Sequence, residues 1–188
     1  MEVSSAALYQ QNIDKQRIVI TGQDSKQLTK LITEVLSLNN RKFDHFADGK
    51  LTTRPGAPVL IIESQINLLE FQHHVAVLTQ ADASSIDSLT ELADKTARGG
   101  TLIYPEAIPS IKAIGSKERA DVQSISYKIF PHKVKDGKTI LISSTNEEFP
   151  IQLTGEKNLL LLAAAKELLK KIGISSSQFY KSVSSLTV

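Results

Sequence analysis

A glycine and a lysine at the spacing of a phosphate-binding loop stand early in the chain. The stretch 17–36 reads as a buried strand, a tight turn at Gly22 and an amphipathic helix that contains Lys26. The N–H groups at the start of such a helix attract anions, and nucleotide-binding α/β domains hold phosphate there. Ser25 and Gln27 stand where a second glycine and a magnesium-binding hydroxyl residue would be expected. The stretch therefore predicts a nucleotide-binding loop with altered chemistry.

The same residues also fit a helix start that binds no anion. Asp24 and Gln27 have the spacing of a capping box, in which their side chains satisfy the first N–H groups of the helix. A carboxylate at this place would also repel a triphosphate from the positive end of the helix dipole. Both interpretations stay open from the residues alone.

Glu63 is the candidate metal ligand. It lies near the end of the run Pro58–Ser64, which is apolar on both faces up to Glu63 and so is typical of a central parallel strand. The carboxyl ends of such strands line the ligand crevice of an α/β sheet. A solvated strand end is the alternative interpretation. His73 and His74 are a poor metal pair, because adjacent strand residues point to opposite faces.

Composition excludes several classes of function. The 188 residues suffice for one domain with a full core, and we expect an N-terminal arm at 1–15 before a single domain at 16–188. The formal charge of +2, without a basic run that carries aromatic residues, argues against nucleic acid as a partner. We expect no membrane span and no signal peptide. The absence of cysteine excludes thiolate chemistry and fits a cytoplasmic protein.

Strand and helix patterns alternate in the first part of the chain. Apolar runs predict strands at 17–21, 58–64, 74–79 and 101–104, a short edge strand at 42–46, and helices at 25–38 and 84–97. This alternation indicates right-handed crossovers and a mostly parallel sheet in an α/β fold.

The pattern changes after Pro109. Strands are predicted at 122–130, 139–143 and 149–153, and the hairpin turn Asp136-Gly137 lies between two of them. These strands indicate an added antiparallel β piece. Helices at 157–172 and 175–186 then predict a helical C-terminus.

Five segments in a fixed order carry a resemblance to a known family. They are 20–29, 59–64, 75–88, 92–95 and 153–168. In this order they resemble the central ATP-binding domain of the Mur ligases, which join amino acids or peptides to UDP-muramoyl precursors of peptidoglycan. The resemblance implies a three-layer, P-loop-like domain with ATP and magnesium as cofactors. The two domains that flank this one in the family lie outside the resemblance.

The resemblance assigns roles to single residues. It implies that the loop of Gly22, Ser25, Lys26 and Gln27 binds the nucleotide together with Asn158, which would lie at the adenine. It implies that Glu63 binds magnesium.

Several positions depart from the family pattern. Lys157 replaces a histidine before Asn158, and Ser85 stands where the family has a magnesium-binding histidine. Lys95 lies near the place of a carbamylated lysine, although an ordinary exposed lysine is the favoured interpretation. Because metal ligands act as a unit, these changes together should reduce catalysis by orders of magnitude.

We therefore expect a degenerate, stand-alone Mur-ligase-like domain without ligase activity. It would act as a binding or regulatory module linked to peptidoglycan metabolism. The alternative is the ATP-binding domain of a Mur-type amide ligase that a partner chain completes. A homo-oligomer or a partner chain would cover the faces that neighbouring domains cover in the family.

Overall fold

The computed structural model describes residues 5–186. Its strands are β1 (Gln16–Thr21), β2 (Asp44–Ala47), β3 (Lys50–Thr52), β4 (Val59–Glu63), β5 (Val75–Leu78), β6 (Thr101–Pro105), β7 (Gln123–Tyr127), β8 (His132–Lys135), β9 (Lys138–Ile142) and β10 (Glu148–Ile151). Its α-helices are α1 (Ser5–Gln11), α2 (Ser25–Leu38), α3 (Ile86–Asp94), α4 (Pro109–Gly115), α5 (Glu156–Lys171) and α6 (Ser176–Ser185).

Seven strands form the main sheet in the order β3-β2-β4-β1-β5-β6-β7. Every pairing in it is parallel except that of β2 with β3, so the predicted mostly parallel sheet is confirmed. The central strand β1 lies between β4 and β5. The strands β2, β3 and β4, which follow β1 in the chain, lie on one side of it, and the strands β5, β6 and β7 lie on the other side. The carboxyl end of β1 is therefore a switch point, where open α/β sheets bind ligands.

Helices cover both faces of the main sheet. Ile18 and Ile20 of β1 enter a core with α2, α5 and α6, whereas Val19 enters a second core with α1, α3 and α4. Successive strand residues point to opposite faces, so a strand buried on both sides must be apolar throughout its length. β4 shows this pattern up to the half-buried Glu63. The three-layer α/β fold is confirmed.

The antiparallel piece is a separate sheet with the order β10-β9-β8. The turn Asp136-Gly137 joins β8 to β9, as a hairpin signal predicts. The predicted strand 122–130 is wrong as a member of this piece, because the strand that forms within it, β7, pairs in parallel with β6. β8 takes its place. It is exposed along its whole length, so it has no apolar alternation from which it could be predicted.

The strand predicted at the sheet edge, 42–46, is also wrong in its position. β2 lies inside the sheet between β4 and the three-residue strand β3, which forms the edge. The fully buried carboxylate of Asp44 explains how a polar strand occupies this place. Asp44 accepts hydrogen bonds from the backbone N–H of Arg54, at 2.7 Å, and from the side chain of Lys15.

Arg17 is a buried cation at the start of the central strand. Its side chain is nearly inaccessible, and burial lowers the pKa of its guanidinium. Nε donates to the carbonyls of Phe71 and Gln72, at 3.0 and 3.1 Å, and Nη1 donates to three carbonyls between Asn12 and Lys15. The guanidinium thus satisfies backbone acceptors from two segments on either side of β1, acceptors that would be costly to bury alone.

His73 lies near the guanidinium of Arg17 and is almost completely buried. Its Nε2 is 3.0 Å from Oγ1 of Thr96. Burial, together with the charges of the nearby His74 and Arg17, lowers the pKa of His73 from 6.5 to about 4. The folded protein therefore contains a neutral His73 at physiological pH.

This buried histidine predicts a specific loss of stability in acid. The unfolded chain binds the proton of His73 below its ordinary pKa of 6.5, whereas the folded chain binds it only near pH 4. The free energy of unfolding should therefore fall by up to about 3 kcal/mol as the pH falls from 6.5 to 4. Urea denaturation at stepped pH measures this fall. His73→Gln should flatten the profile in that window, whereas the exposed control His132→Gln should leave it unchanged. An unchanged slope in His73→Gln contradicts the assignment.

Candidate functional site

Gly22 allows the loop after β1 to lie against the end of β5. Its φ is +109°, and a Cβ at this position would lie 2.3 Å from Oγ1 of Thr79 and 2.7 Å from the carbonyl of Gln80. Thr79 in turn donates its hydroxyl to the carbonyl of Thr21, at 3.1 Å. Both the backbone conformation and the close approach therefore require glycine at position 22.

Gly22→Ala should destabilise the protein by about 3 kcal/mol, because it combines a left-handed φ with a steric clash. Gly137→Ala is the matched control. Gly137 has a φ of +73° with no heavy atom within 4 Å of the built Cβ, so it carries the backbone penalty alone. That penalty is about 1 kcal/mol. Denaturant unfolding of both variants measures the difference, and equal losses would show that the close approach contributes nothing.

The loop satisfies most of its own N–H groups. The N–H of Gln23 donates to the carbonyl of Gln80, at 2.7 Å, and the N–H of Ser25 donates to the carbonyl of Gly22, at 3.1 Å. A longer contact of 3.4 Å joins the N–H of Asp24 to Oγ1 of Thr79. Within residues 5–186, the next two N–H groups along α2 have no protein acceptor. The anion-binding capacity of the loop is thus reduced to the very start of the helix.

The predicted capping box at Asp24 and Gln27 is wrong. Asp24 precedes α2, but its side chain makes no capping hydrogen bond, and its φ and ψ of −104° and 13° lie outside the extended region that capping needs. Its carboxylate instead pairs with Nζ of Lys157, at 2.6 Å. Nε2 of Gln27 donates to Oδ1 of Asn158, at 2.7 Å. Two contacts from the start of α5 therefore hold the start of α2.

Ser25 supplies a hydroxyl to the carboxylate at the end of β4. Ser25 is buried, and its Oγ donates to Oε1 of Glu63, at 3.0 Å. The loop hydroxyl that the sequence lacks at Gln27 is therefore present two residues earlier. The structure brings these two predicted site residues together.

Lys26 extends away from the loop. It pairs with Asp48 in the turn after β2, at 3.2 Å, and both side chains are more than 70% exposed. An ion pair this exposed contributes little to stability. The lysine is therefore free to leave Asp48 at small cost.

These side chains surround a cavity of about 670 Å³, which we call the crevice. Three lysines and three carboxylates line it, so their formal charges cancel. They are Lys26, Lys30, Lys157, Asp24, Asp48 and Glu63. His45 and Thr29 complete part of the wall. Asn158 lines a smaller neighbouring cavity of about 130 Å³, which it shares with Gln27 and Lys30.

Sequence reasoning missed two residues near the crevice. Nε2 of His45 is enclosed and has no hydrogen-bond partner among the described residues, and burial lowers the pKa of this histidine. The hydroxyl of Tyr127 donates to the carbonyl of Leu78, at 2.8 Å, and burial, with the charge of Asp24, raises its pKa. The alternation of β2 could have placed His45 on the crevice side, whereas no local signal marks Tyr127.

The remaining candidates lie outside the crevice. Lys95 is exposed directly after the end of α3, and Ser85 ends a short 3-10 turn before that helix. Within residues 5–186, no cluster of three histidine or acidic side chains could hold a metal ion, and no helix is long and apolar enough to cross a membrane.

The layers, the sheet order and the crevice define a three-layer α/β domain with a cavity at the carboxyl end of its central strand. No family model and no curated protein matches the chain. Solved structures do. MurF from Acinetobacter baumannii matches with a TM-score of 0.77 and 14% identity, over 98% of this chain and 49% of that one.

Two further solved structures contain ADP. MurF ligase from Thermotoga maritima in complex with ADP has a TM-score of 0.73 and 14% identity, over 98% of this chain and 52% of that one. Mycobacterium tuberculosis folylpolyglutamate synthase complexed with ADP has a TM-score of 0.68 and 10% identity, over 98% and 61%. The resemblance to the Mur ligases is confirmed at the level of the fold. The chain spans about half the length of the MurF structures.

Proposed function

We propose that this chain is a degenerate Mur-ligase-like domain without ligase activity of its own, which acts as a binding or regulatory module linked to peptidoglycan metabolism. The ion pair of Asp24 with Lys157 carries this proposal, because it places the chain's own anion and cation where a phosphate would bind. A cytoplasmic location is part of the proposal and rests on the cysteine-free sequence.

The charges that line the crevice disfavour the binding of ATP. Asp24 lies at the positive end of the α2 dipole, so its carboxylate takes the place that would otherwise attract phosphate. Lys157 and Lys26 both have carboxylate partners, at 2.6 and 3.2 Å. A polyanion would have to displace both partners and would find a wall with no net charge.

The described residues form no preformed cage for a magnesium ion. Glu63 is accompanied by the hydroxyl of Ser25, and magnesium held by so few protein oxygens takes the rest of its octahedral set from waters and substrate phosphates. Within residues 5–186, no group of three or more histidine or acidic side chains that could hold a metal ion includes Glu63. We therefore assign no step to a bound metal.

A second candidate is an ATP-binding domain of a Mur-type amide ligase, completed by a partner chain or by a second copy of this one. The free N–H groups of Lys26 and Gln27 favour it, since two donors at a helix start are available to one phosphate. In this candidate Gly22, Ser25, Lys26, Gln27 and Asn158 hold the nucleotide and Glu63 contacts the metal. The ADP in two of the similar structures supports it.

Calorimetric titration with ATP, with and without magnesium, separates the two candidates. We expect no saturable binding to the unaltered chain at millimolar ATP. Asp24→Asn keeps the shape, removes the negative charge and frees Lys157, so it should strengthen ATP binding by about tenfold or more and produce saturable binding in the millimolar range. Asp87→Asn, an exposed change on α3, is the matched control and should have no effect.

The opposite result has a clear meaning. Micromolar binding of ATP by the unaltered chain, lost in Lys26→Ala, would overturn the first candidate and support the second. A ligase assay with UDP-muramoyl substrates and a partner chain would then follow.

A further inference from the structure

A second cavity of about 620 Å³ lies beside the crevice, between the C-terminal half of α2 and the hairpin of β2 and β3. We call it the trough. Its wall includes Ser37, Leu38, Phe43, His45, Thr52 and Arg54. Its volume lies within the range of pockets that bind small molecules. It shares only two lining residues with the crevice, His45 and Thr33.

Arg54 is a positioned cation whose guanidinium forms no ion pair with any of the described residues. Its guanidinium carbon lies 5.0 Å above the ring of Phe43. Its backbone N–H donates to the buried carboxylate of Asp44, at 2.7 Å, which fixes the start of the turn that follows. Among residues 5–186, the guanidinium itself has no ion pair and no hydrogen bond. Its donors are therefore available to a ligand in the trough.

The rest of the wall combines apolar surface with unused polar groups. Leu38 is 52% exposed, which is unusual for a leucine on a helix that otherwise buries its apolar residues. The exposed hydroxyl residues Ser37 and Thr52 line the same cavity. Exposed apolar surface next to a few convergent polar groups is characteristic of a binding site.

We propose that the trough binds a small organic acid with a single anionic group, whose carboxylate or phosphate pairs with Arg54 and whose apolar body packs on Leu38 and Phe43. The planar guanidinium matches two acceptor oxygens at once, which favours these two anions over a spherical ion. Glu34 also lines the trough and is only loosely paired with Lys30, at 3.9 Å. Its charge disfavours a polyanion, so a single anionic group is selected.

This site is independent of the proposed function. Arg54, Leu38 and Phe43 do not line the crevice, and the lysines that pair with Asp24 and Asp48 do not line the trough. A failure of the trough to bind its ligand would therefore leave the proposal for the crevice untouched, and the reverse also holds.

The test is an NMR titration of the isotope-labelled full chain with two probes, phenylacetate and phenyl phosphate. We expect saturable amide shifts at Leu38, Phe43 and Thr52, with a dissociation constant in the low millimolar range. Arg54→Ala should weaken binding about tenfold, because it removes a charge-assisted pair but keeps the backbone N–H that Asp44 accepts. Preference for one probe identifies the anionic group that the site selects.

Two controls make the result decisive. Arg98→Ala removes another exposed arginine, which lies before β6 and outside the trough, and should leave binding unchanged. Lys26→Ala should also leave it unchanged, which separates the trough from the crevice. Equal binding by Arg54→Ala and the unaltered chain would overturn the proposal. So would shifts that do not saturate, or that occur away from the trough.

Discussion

The buried guanidinium of Arg17 is the constraint on which the sheet depends. It has no carboxylate partner among the described residues and instead bonds to five backbone carbonyls. These carbonyls belong to the segment before β1 and to the turn before β5. Because β1 is the central strand and pairs with β5, these hydrogen bonds fix the amino ends of β1 and β5 relative to each other. The carboxyl ends of those strands, at the opposite edge, carry Gly22 and Thr79, which approach within a distance that only glycine tolerates.

Several polar side chains in and around the crevice pair with one another. In a preorganised binding site, hydrogen-bond donors and charged groups are fixed in position and have no protein partner until the ligand binds. Here Ser25 bonds to Glu63, Lys157 pairs with Asp24, and Gln27 bonds to Asn158. These three side-chain pairs occupy the polar groups that a ligand would otherwise contact. A shared fold therefore does not by itself define the chemistry of the crevice.

The fold was largely predictable because its signals are local. Strands such as β4 are apolar on both faces, and α2 repeats its apolar residues at helical spacing. β8 was missed because an exposed strand has no pattern. The sequence predicts several of the residues that line the crevice, but it does not predict which of their side chains pair with one another. Asp24 and Lys157 are far apart in sequence. The local capping signal therefore could not predict that the carboxylate of Asp24 pairs with the ammonium group of Lys157.

The exposed edge strand β8 has a consequence for how the chain behaves at high concentration. A free strand edge offers unpaired backbone groups to the edge of another chain, which is the first step of sheet-to-sheet aggregation. β8 carries Lys133 and Lys135 on either side of the exposed Val134. A second copy docking there would bring like charges together in the same ladder. The lysines thus protect the outer edge of the small sheet against addition of a strand.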